Sequence, residues 1–355
     1  MESKPSCCEF AFTPWTVTDG QPVLADDLDW DQPLTWNRHA KETGGRHRVW
    51  CTVDPFGDLS SVMHDRHGSR LAINAGEGAN GAIYPEEAIV DDDWGCRSLT
   101  LLDCTHRMLR LIDRTPWLDW LLVTEHPHRI AHAWRPGDCT GLLCLAAAVD
   151  GVVCPHDACD AESGVRVVHR GNAWLGVRVY DQADADRLVP ELVKHHQLVP
   201  VVFMHYRMAG PVLFGEHLPV YDFRPTYPHW RVMHPDSDGR PILLQPGICW
   251  VLAEGGERPA HPNWIRECRR DCRDFGVPLW FESWGEWLPI DDYRPDLHGS
   301  ADDHLHGWIY SDGSTNADRS RHELPTSTFR VGRTRTGHLV DEEALRQLPT
   351  AEVVS

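Results

Sequence analysis

The sequence predicts an α/β protein built as an open, partial (β/α)6 barrel. Three observations predict it. Six short apolar runs recur near residues 50, 120, 176, 202, 250 and 280. The stretches between them have the length that crossovers between parallel strands need. Polar residues follow the apolar runs, at the carboxyl ends of strands where parallel sheets bind ligands.

The clearest unit is Ile248 to Trp287. Its apolar run ends at Ala253 and breaks at Gly255-Gly256. Trp264, Ile265, Cys268, Cys272 and Phe275 then fall at helical spacing, Gly276 closes the helix, and Leu279 to Phe281 form a second strand. Buried strand, amphipathic helix and buried strand are the repeating unit of a parallel sheet.

Taken in order, residues 1–48 read as an irregular segment. They hold the pair Cys7-Cys8, a short apolar piece, and an acidic run from Asp26 to Asp31. A first strand, Val49 to Val53, runs into Asp54, Gly57 and Asp58. Residues 60–97 read as a long loop. Its glycines 76, 78 and 81 satisfy G-x-G-x-x-G, but Pro85 and a glutamate pair follow at once, where a dinucleotide fingerprint needs a helix. A helix over Leu99 to Ile112, with Leu102, Met108, Leu109 and Ile112 on one face, leads to a strand at Leu118 to Val123. That strand ends in Thr124-Glu125-His126, and a short helix follows from Arg129 to Trp134.

After an insertion at 135–171, the strand Ala173 to Val179 ends at Tyr180-Asp181-Gln182, and a helix runs through Ala185 to His196. The strand Pro200 to Met204 ends at His205-Tyr206-Arg207. Residues 217–246 read as a β-hairpin excursion turning at Asp236 to Gly239. Beyond Trp287 come a strand pair around Trp308 and Phe329 to Val331, and a last helix from Asp341 to Leu348. The barrel therefore covers 49–290, with insertions at 60–97, 135–171 and 217–246, and 291–355 form a C-terminal extension.

The formal charge of −19, with only Lys4, Lys41 and Lys194 as lysines, opposes generic binding to nucleic acid or anionic lipid. Arg266, Arg269, Arg270 and Arg273 read as one solvated helix face. No basic segment followed by an apolar one opens the chain, and no uncharged run is long enough to span a bilayer. A cytoplasmic protein is expected, its twelve cysteines reduced or bound to metal. The sixteen tryptophans read mainly as core and rim packing.

Four constellations could carry chemistry. Cys139, Cys144, Cys154 and Cys159 could close a tetrahedral zinc site in the 135–171 insertion, although their spacing is wider than a C-x2-C knuckle. Buried free thiols are the competing reading. Glu125, His126, His128 and His132 form a second group, which reads as surface and cap residues. Glu254, Glu257, Glu282 and Glu286 follow two adjacent strands, and paired carboxylates can exchange a proton or hold a hard cation. They are the catalytic candidates, against the alternative of helix caps and ion pairs. Cys268 and Cys272, four apart on one helix face, read as core packing. No Ser-His-Asp, Cys-His or phosphate-loop pattern occurs.

Five stretches carry a resemblance: NAWLGVRVYDQADADR (172–187), PVVFMHYRMAGPV (200–212), WVLAEGGERPAHPNW (250–264), GVPLWFESWGEW (276–287) and FRVGRTRTGHLVD (329–341). The chain resembles the gp-thirty-seven/gp-sixty-eight family of phage and prophage proteins of unknown function, itself similar to radical-SAM barrels such as spore photoproduct lyase. The resemblance implies a radical-SAM-like fold, an iron–sulfur cluster held by three closely spaced cysteines after the first strand, and SAM as cofactor. Gly255 and Gly256, with Asp181 and Tyr206 at the strand ends, would then face the cofactor as an anion-binding turn.

The chain departs from that pattern. The segment before Pro33-Leu34 reads as too short for the strand and cluster loop, and offers only Cys7 and Cys8, so the cluster and SAM are expected to be absent. Glu125-His126 stand where a lysine-arginine pair is usual, Tyr206-Arg207 where Glu-Pro is usual, and Glu282-Ser283 where lysine and glutamine are common. The leading expectation is a cluster-free barrel acting as a binding or accessory protein. The alternatives are a metal- or SAM-dependent enzyme acting on a nucleotide or nucleic acid, and a zinc-stapled interaction module.

Overall fold

The computed structural model describes residues 4–25, 27–74, 83–85, 96–134, 169–218, 220–221, 223–227, 230–233, 243–245, 247–315 and 324–349. Seven strands lie side by side in chain order: β1 (Phe10–Phe12), β2 (His47–Cys51), β3 (Leu118–Thr124), β4 (Ala173–Val179), β5 (Val201–Tyr206), β6 (Trp250–Ala253) and β7 (Leu279–Phe281). The pairs β1–β2, β2–β3, β5–β6 and β6–β7 are parallel. Helix α1 (Asp27–Thr43) connects β1 to β2, α2 (Leu101–Asp113) β2 to β3, α3 (Gln182–Val193) β4 to β5, and α4 (Pro262–Phe275) β6 to β7. Strands in unbroken chain order are the arrangement of β/α barrels and not of doubly wound sheets. All seven residues of β3 and all six of β5 are buried, as parallel strands covered on both faces should be.

The chain divides into two compact units, Met1–Leu175 with Gln197–Pro200, and Gly176–His196 with Val201–Ser355. In the first unit, residues 1–48 are not irregular. Phe10–Phe12 pair with Val49–Cys51, which makes seven strands rather than six. Phe12 anchors this strand by standing edge-on to Trp120 and Trp30, at 5.3 and 5.5 Å between ring centres. Three residues are too few to show a period, which hid the strand. The next turn is a hairpin, Trp15–Thr18 against Gln21–Leu24, closed by Asp19 and Gly20 at φ 50° and 78°. The segment is thus long enough for the strand and loop it was expected to lack.

The expected loop at 60–97 contains a three-stranded antiparallel sheet, with Leu71–Asn74 between Ile83–Pro85 and Cys96–Ser98. The 76–81 glycine pattern lies outside the described residues. Helix α2 begins where Asp103 Oδ2 accepts from the Thr100 amide (2.9 Å) and hydroxyl (2.8 Å), closing the first turn on itself.

In the second unit, α4 starts at the cap His261, whose Nδ1 accepts from the Asn263 amide at 3.2 Å. It ends at Gly276, φ 69°. Trp264, Ile265, Cys268 and Cys272 are its buried stripe, as their spacing predicts. The excursion pairs Val220–Tyr221 with Leu243–Gln245 and Phe223–Tyr227 with Trp230–Met233. Tyr227 and Trp230 are its closing pair, and the turn expected at 236–239 lies outside the described residues. Leu305–Ile309 and Thr326–Arg330 form the expected antiparallel pair, joined by Trp287–Pro289.

The helix expected over Asp341 to Leu348 does not form. Asp341 and Glu342, at φ 50° and 68°, make a tight turn between Leu339–Val340 and Glu343–Ala344. The chain then runs antiparallel along β7: Phe281 N donates to Leu345 O (2.7 Å) and Gln347 N to Leu279 O (3.0 Å). This strap satisfies the outer edge of β7, which an isolated helix would leave bare. Among the described residues, no helix is long and apolar enough to cross a membrane.

Beyond their ends, β6 and β7 continue to touch. Glu282 N donates to Ala253 O and Gly255 N to Ser283 O, both at 2.8 Å, and Glu286 N to Gly256 O at 3.0 Å. A Cβ at Gly255 would overlap the Trp284 carbonyl, whereas one at Gly256 would meet nothing within 4 Å. Gly255→Ala is therefore expected to cost about 3 kcal/mol or more, and Gly256→Ala about 1 kcal/mol or less. Denaturant midpoints of the two variants measure the difference.

Candidate functional site

The end of β5 alternates sides. Tyr206 turns into the core, where its hydroxyl donates to the Gly210 carbonyl and its ring stands edge-on to Phe214 at 5.1 Å. His205 and Arg207 point to the other side. Glu254 follows β6 directly, and its amide donates to Tyr206 O at 2.9 Å, so the ladder carries one residue past the strand. Its side chain falls beside those of His205 and Arg207.

Glu254 Oε1 accepts from His205 Nε2 at 2.9 Å and from Arg207 Nη1 at 2.5 Å, and Arg333 Nη2 lies 3.9 Å from Oε2. The carboxylate is 5% exposed and His205 1%. Burial pushes the Glu254 pKa up. The His205 hydrogen bond and the charges of His205, Arg207 and Arg333 outweigh it and hold the value at about 2. Glu254 is thus ionised at neutral pH and is not a proton donor there. Among the described residues, Arg207 Nε is buried with no hydrogen-bond partner.

The other three catalytic candidates are engaged elsewhere. Glu257 is exposed, and its backbone carbonyl accepts from Trp287 Nε1 at 2.8 Å. Glu282 Oε2 accepts from Trp280 Nε1 at 3.0 Å, and Glu286 Oε2 from Arg330 Nε at 2.7 Å. Of the cofactor candidates, Asp181 caps α3 by accepting from the Asp184 amide at 3.1 Å, and Tyr206 is the core residue described above. Gly255 and Gly256 do not form an anion nest at a helix start. Helix α4 begins only at Pro262, and the Gly255 amide already donates to Ser283. Gly255 instead serves the close approach of two backbones.

In the first unit, Asp54 ties the end of β2 to that of β3. Its Oδ1 accepts from Phe56 N (2.9 Å) and its Oδ2 from Glu125 N (3.0 Å). Burial raises its pKa despite those bonds. His128 and His132 are exposed, in keeping with surface roles. The arginine face of α4 is solvated and paired, Arg266 with Asp291 and Asp341, and Arg269 with Glu343.

An iron–sulfur cluster of that kind needs three thiolates grouped in space. Cys7 and Cys8 are buried before β1, at the end of the sheet opposite the polar strand ends, with sulfurs 3.8 Å apart. Burial pushes the Cys8 and Cys268 thiols well up, raises Cys104, and lifts Cys51 to about 12 and Cys249 to about 11. Cys7 and Cys8 bring two sulfurs together with no third beside them among the described residues, which does not fit a three-cysteine cluster. Among the described residues, no three His, Cys, Asp or Glu side chains are arranged to hold a metal ion. Cys139, Cys144, Cys154 and Cys159 lie outside the described residues.

Three members of the cluster, His205, Arg207 and Arg333, are absent from the sequence-based candidates. His205 and Arg207, two apart at a strand end, carried a readable signal for a shared face. Arg333 lies about eighty residues from Glu254 in a polar stretch, and nothing local marks it.

Fold and cluster define a parallel α/β protein with a charged, buried group at the carboxyl ends of adjacent strands. The chain belongs to the DUF5131 family, proteins of unknown function, whose model matches residues 100–349. No curated protein and no solved structure matches it.

Because the folded pKa of Glu254 is depressed, its contribution is complete above the unfolded value of 4.5 and fades as pH falls towards about 2. Its upper bound is about 3 kcal/mol. The stability difference between the parent and Glu254→Gln should accordingly be largest at neutral pH and shrink between about pH 5 and pH 2. Urea unfolding across that range reads it.

Proposed function

We propose that this protein is a radical-SAM-like barrel of the gp-thirty-seven/gp-sixty-eight kind that works without an iron–sulfur cluster, as a binding or accessory protein. One observation carries the reading. The stretch after β1, where such barrels hold three cysteines, is a hairpin from Trp15 to Leu24 that contains none. The chain order of the strands supports the lineage, and the lack of a third sulfur beside Cys7 and Cys8 among the described residues supports the loss.

The ligand site is placed at the ends of β5 and β6, around Glu254. An ionised carboxylate held among two guanidinium groups is fixed in geometry and charge, which suits binding more than proton transfer. The enzyme reading through four converging carboxylates finds less support, because Glu257, Glu282 and Glu286 have other surroundings. The zinc reading of Cys139, Cys144, Cys154 and Cys159 is retained as a structural proposal for the insertion.

Protein purified without oxygen should contain no iron or acid-labile sulfide and should leave SAM uncleaved after reconstitution. Stoichiometric iron and sulfide with a visible charge-transfer band and SAM cleavage would sink the cluster-free reading. Zinc in the same measurement, lost on replacing Cys154 and Cys159 with serine, tests the insertion.

A further inference from the structure

The second unit covers the outer edge of β7 with the strap at 345–347. Its three-stranded antiparallel sheet is edged differently on its two sides. Thr326–Arg330 lies in the middle, between Trp287–Pro289 and Leu305–Ile309. Trp287–Pro289 ends in a proline, which cannot donate to a further strand. Leu305–Ile309 has no such guard. It contains no lysine, glutamate or proline, and it pairs with Thr326–Arg330 residue for residue, without a bulge. Charge, proline and bulges are the devices by which proteins blunt an edge strand. In an antiparallel pair, every second residue turns its N–H and C=O away from its partner. On Leu305–Ile309 those outward groups have no hydrogen-bond partner among the described residues.

This edge is open to water. Leu305 is 64% exposed, Trp308 is 48% exposed, and His306 is exposed between them. His306 and Trp308 lie on one face of the sheet, their ring centres 4.4 Å apart. His306 stacks on Phe329 at 5.1 Å, and Phe329 meets Tyr293 at 4.6 Å. A strand added here would find a row of aromatic rings beside the free ladder.

The surroundings favour a cation. Asp302 and Asp303 stand exposed just before the strand and form no ion pair among the described residues. Arg330 of the same sheet is already paired with Glu286. The chain as a whole carries −19, and lysine and arginine are drawn to the faces of tryptophan rings. A second copy of the chain fits poorly. Antiparallel pairing about Gly307 would carry Asp302 of each copy towards Asp312 of the other, like charge against like.

We infer that Leu305–Ile309 receives an extended, basic segment of a partner protein as a fourth strand. The segment's backbone completes the open ladder, and its lysine or arginine side chains meet Trp308, Asp302 and Asp303. This surface uses none of the residues of the ligand site around Glu254, and the inference does not rest on that reading.

Fluorescence anisotropy with a labelled, capped peptide of sequence KVTVKVTVK, and with its acidic counterpart EVTVEVTVE, tests the inference. The basic peptide should bind with a Kd of about 100 μM or tighter, and the acidic one about tenfold more weakly or less. Amide hydrogen exchange should slow within Leu305–Ile309 when the basic peptide is bound. Trp308→Lys places a charge of the peptide's own sign on the edge and should weaken binding about tenfold or more. Asp302→Asn combined with Asp303→Asn should weaken it about threefold or more. If Trp308→Lys does not fold, the double aspartate variant decides. No binding of the basic peptide, equal binding of the two peptides, or parent-like affinity in the double variant overturns the inference. So does a dimer of the unliganded chain that Trp308→Lys dissociates, because the edge would then belong to a second copy.

Discussion

A charge at the end of a buried strand is the constraint around which the second unit is arranged. Removing a carboxylate from water costs several kcal/mol unless hydrogen bonds and opposite charges replace the lost hydration. For Glu254 they come from three places: His205 and Arg207 at the end of the neighbouring strand, and Arg333 from a segment near the C-terminus. Strand alternation supplies the first two automatically, because residues two apart share a face. The third requires the chain to return after a long excursion. The strand Thr326–Arg330, held between Trp287–Pro289 and Leu305–Ile309, brings it back.

The same returning chain completes the sheet. After the turn at Asp341-Glu342 it lies along β7 and takes up the hydrogen bonds of that strand's outer edge. Trp250 Nε1 donates to Gln347 O at 3.0 Å, and the Arg346 guanidinium sits over the Trp280 ring at 5.3 Å. The tail is therefore bound to the face of the sheet as well as to its edge. Site and strap share one piece of chain, which links the electrostatics at the strand ends to the packing behind them.

Much of the fold was legible because its signals are local. β3, β4, β5, β6 and β7 are short apolar runs bounded by turn residues, and α2 and α4 have clear apolar stripes. What escaped notice depends on partners distant in the chain. β1 is three residues long and is defined by β2 and by the ring of Trp120, about one hundred residues away. The strap over 345–347 has a helix-compatible composition, and only the open edge of β7 makes the extended form preferable. In the site, Glu254 and Arg207 stood at recognisable strand ends. Arg333 did not, since its role comes from tertiary approach alone. Gly255-Gly256 illustrates the opposite error: a glycine pair after a strand suits an anion turn, yet here Gly255 is required to make room for another backbone.

That requirement is mutual. Gly285, at φ 77°, could not carry a Cβ without striking the Gly256 carbonyl, just as Gly255 could not without striking that of Trp284. Two side chains in a core can trade volume, one shrinking as the other grows. Two backbones in contact have nothing to trade. Positions 255 and 285 therefore form a pair in which change at one is never compensated by change at the other. Among relatives that keep this loop junction, the pair would appear as two separately fixed glycines rather than as a covarying couple.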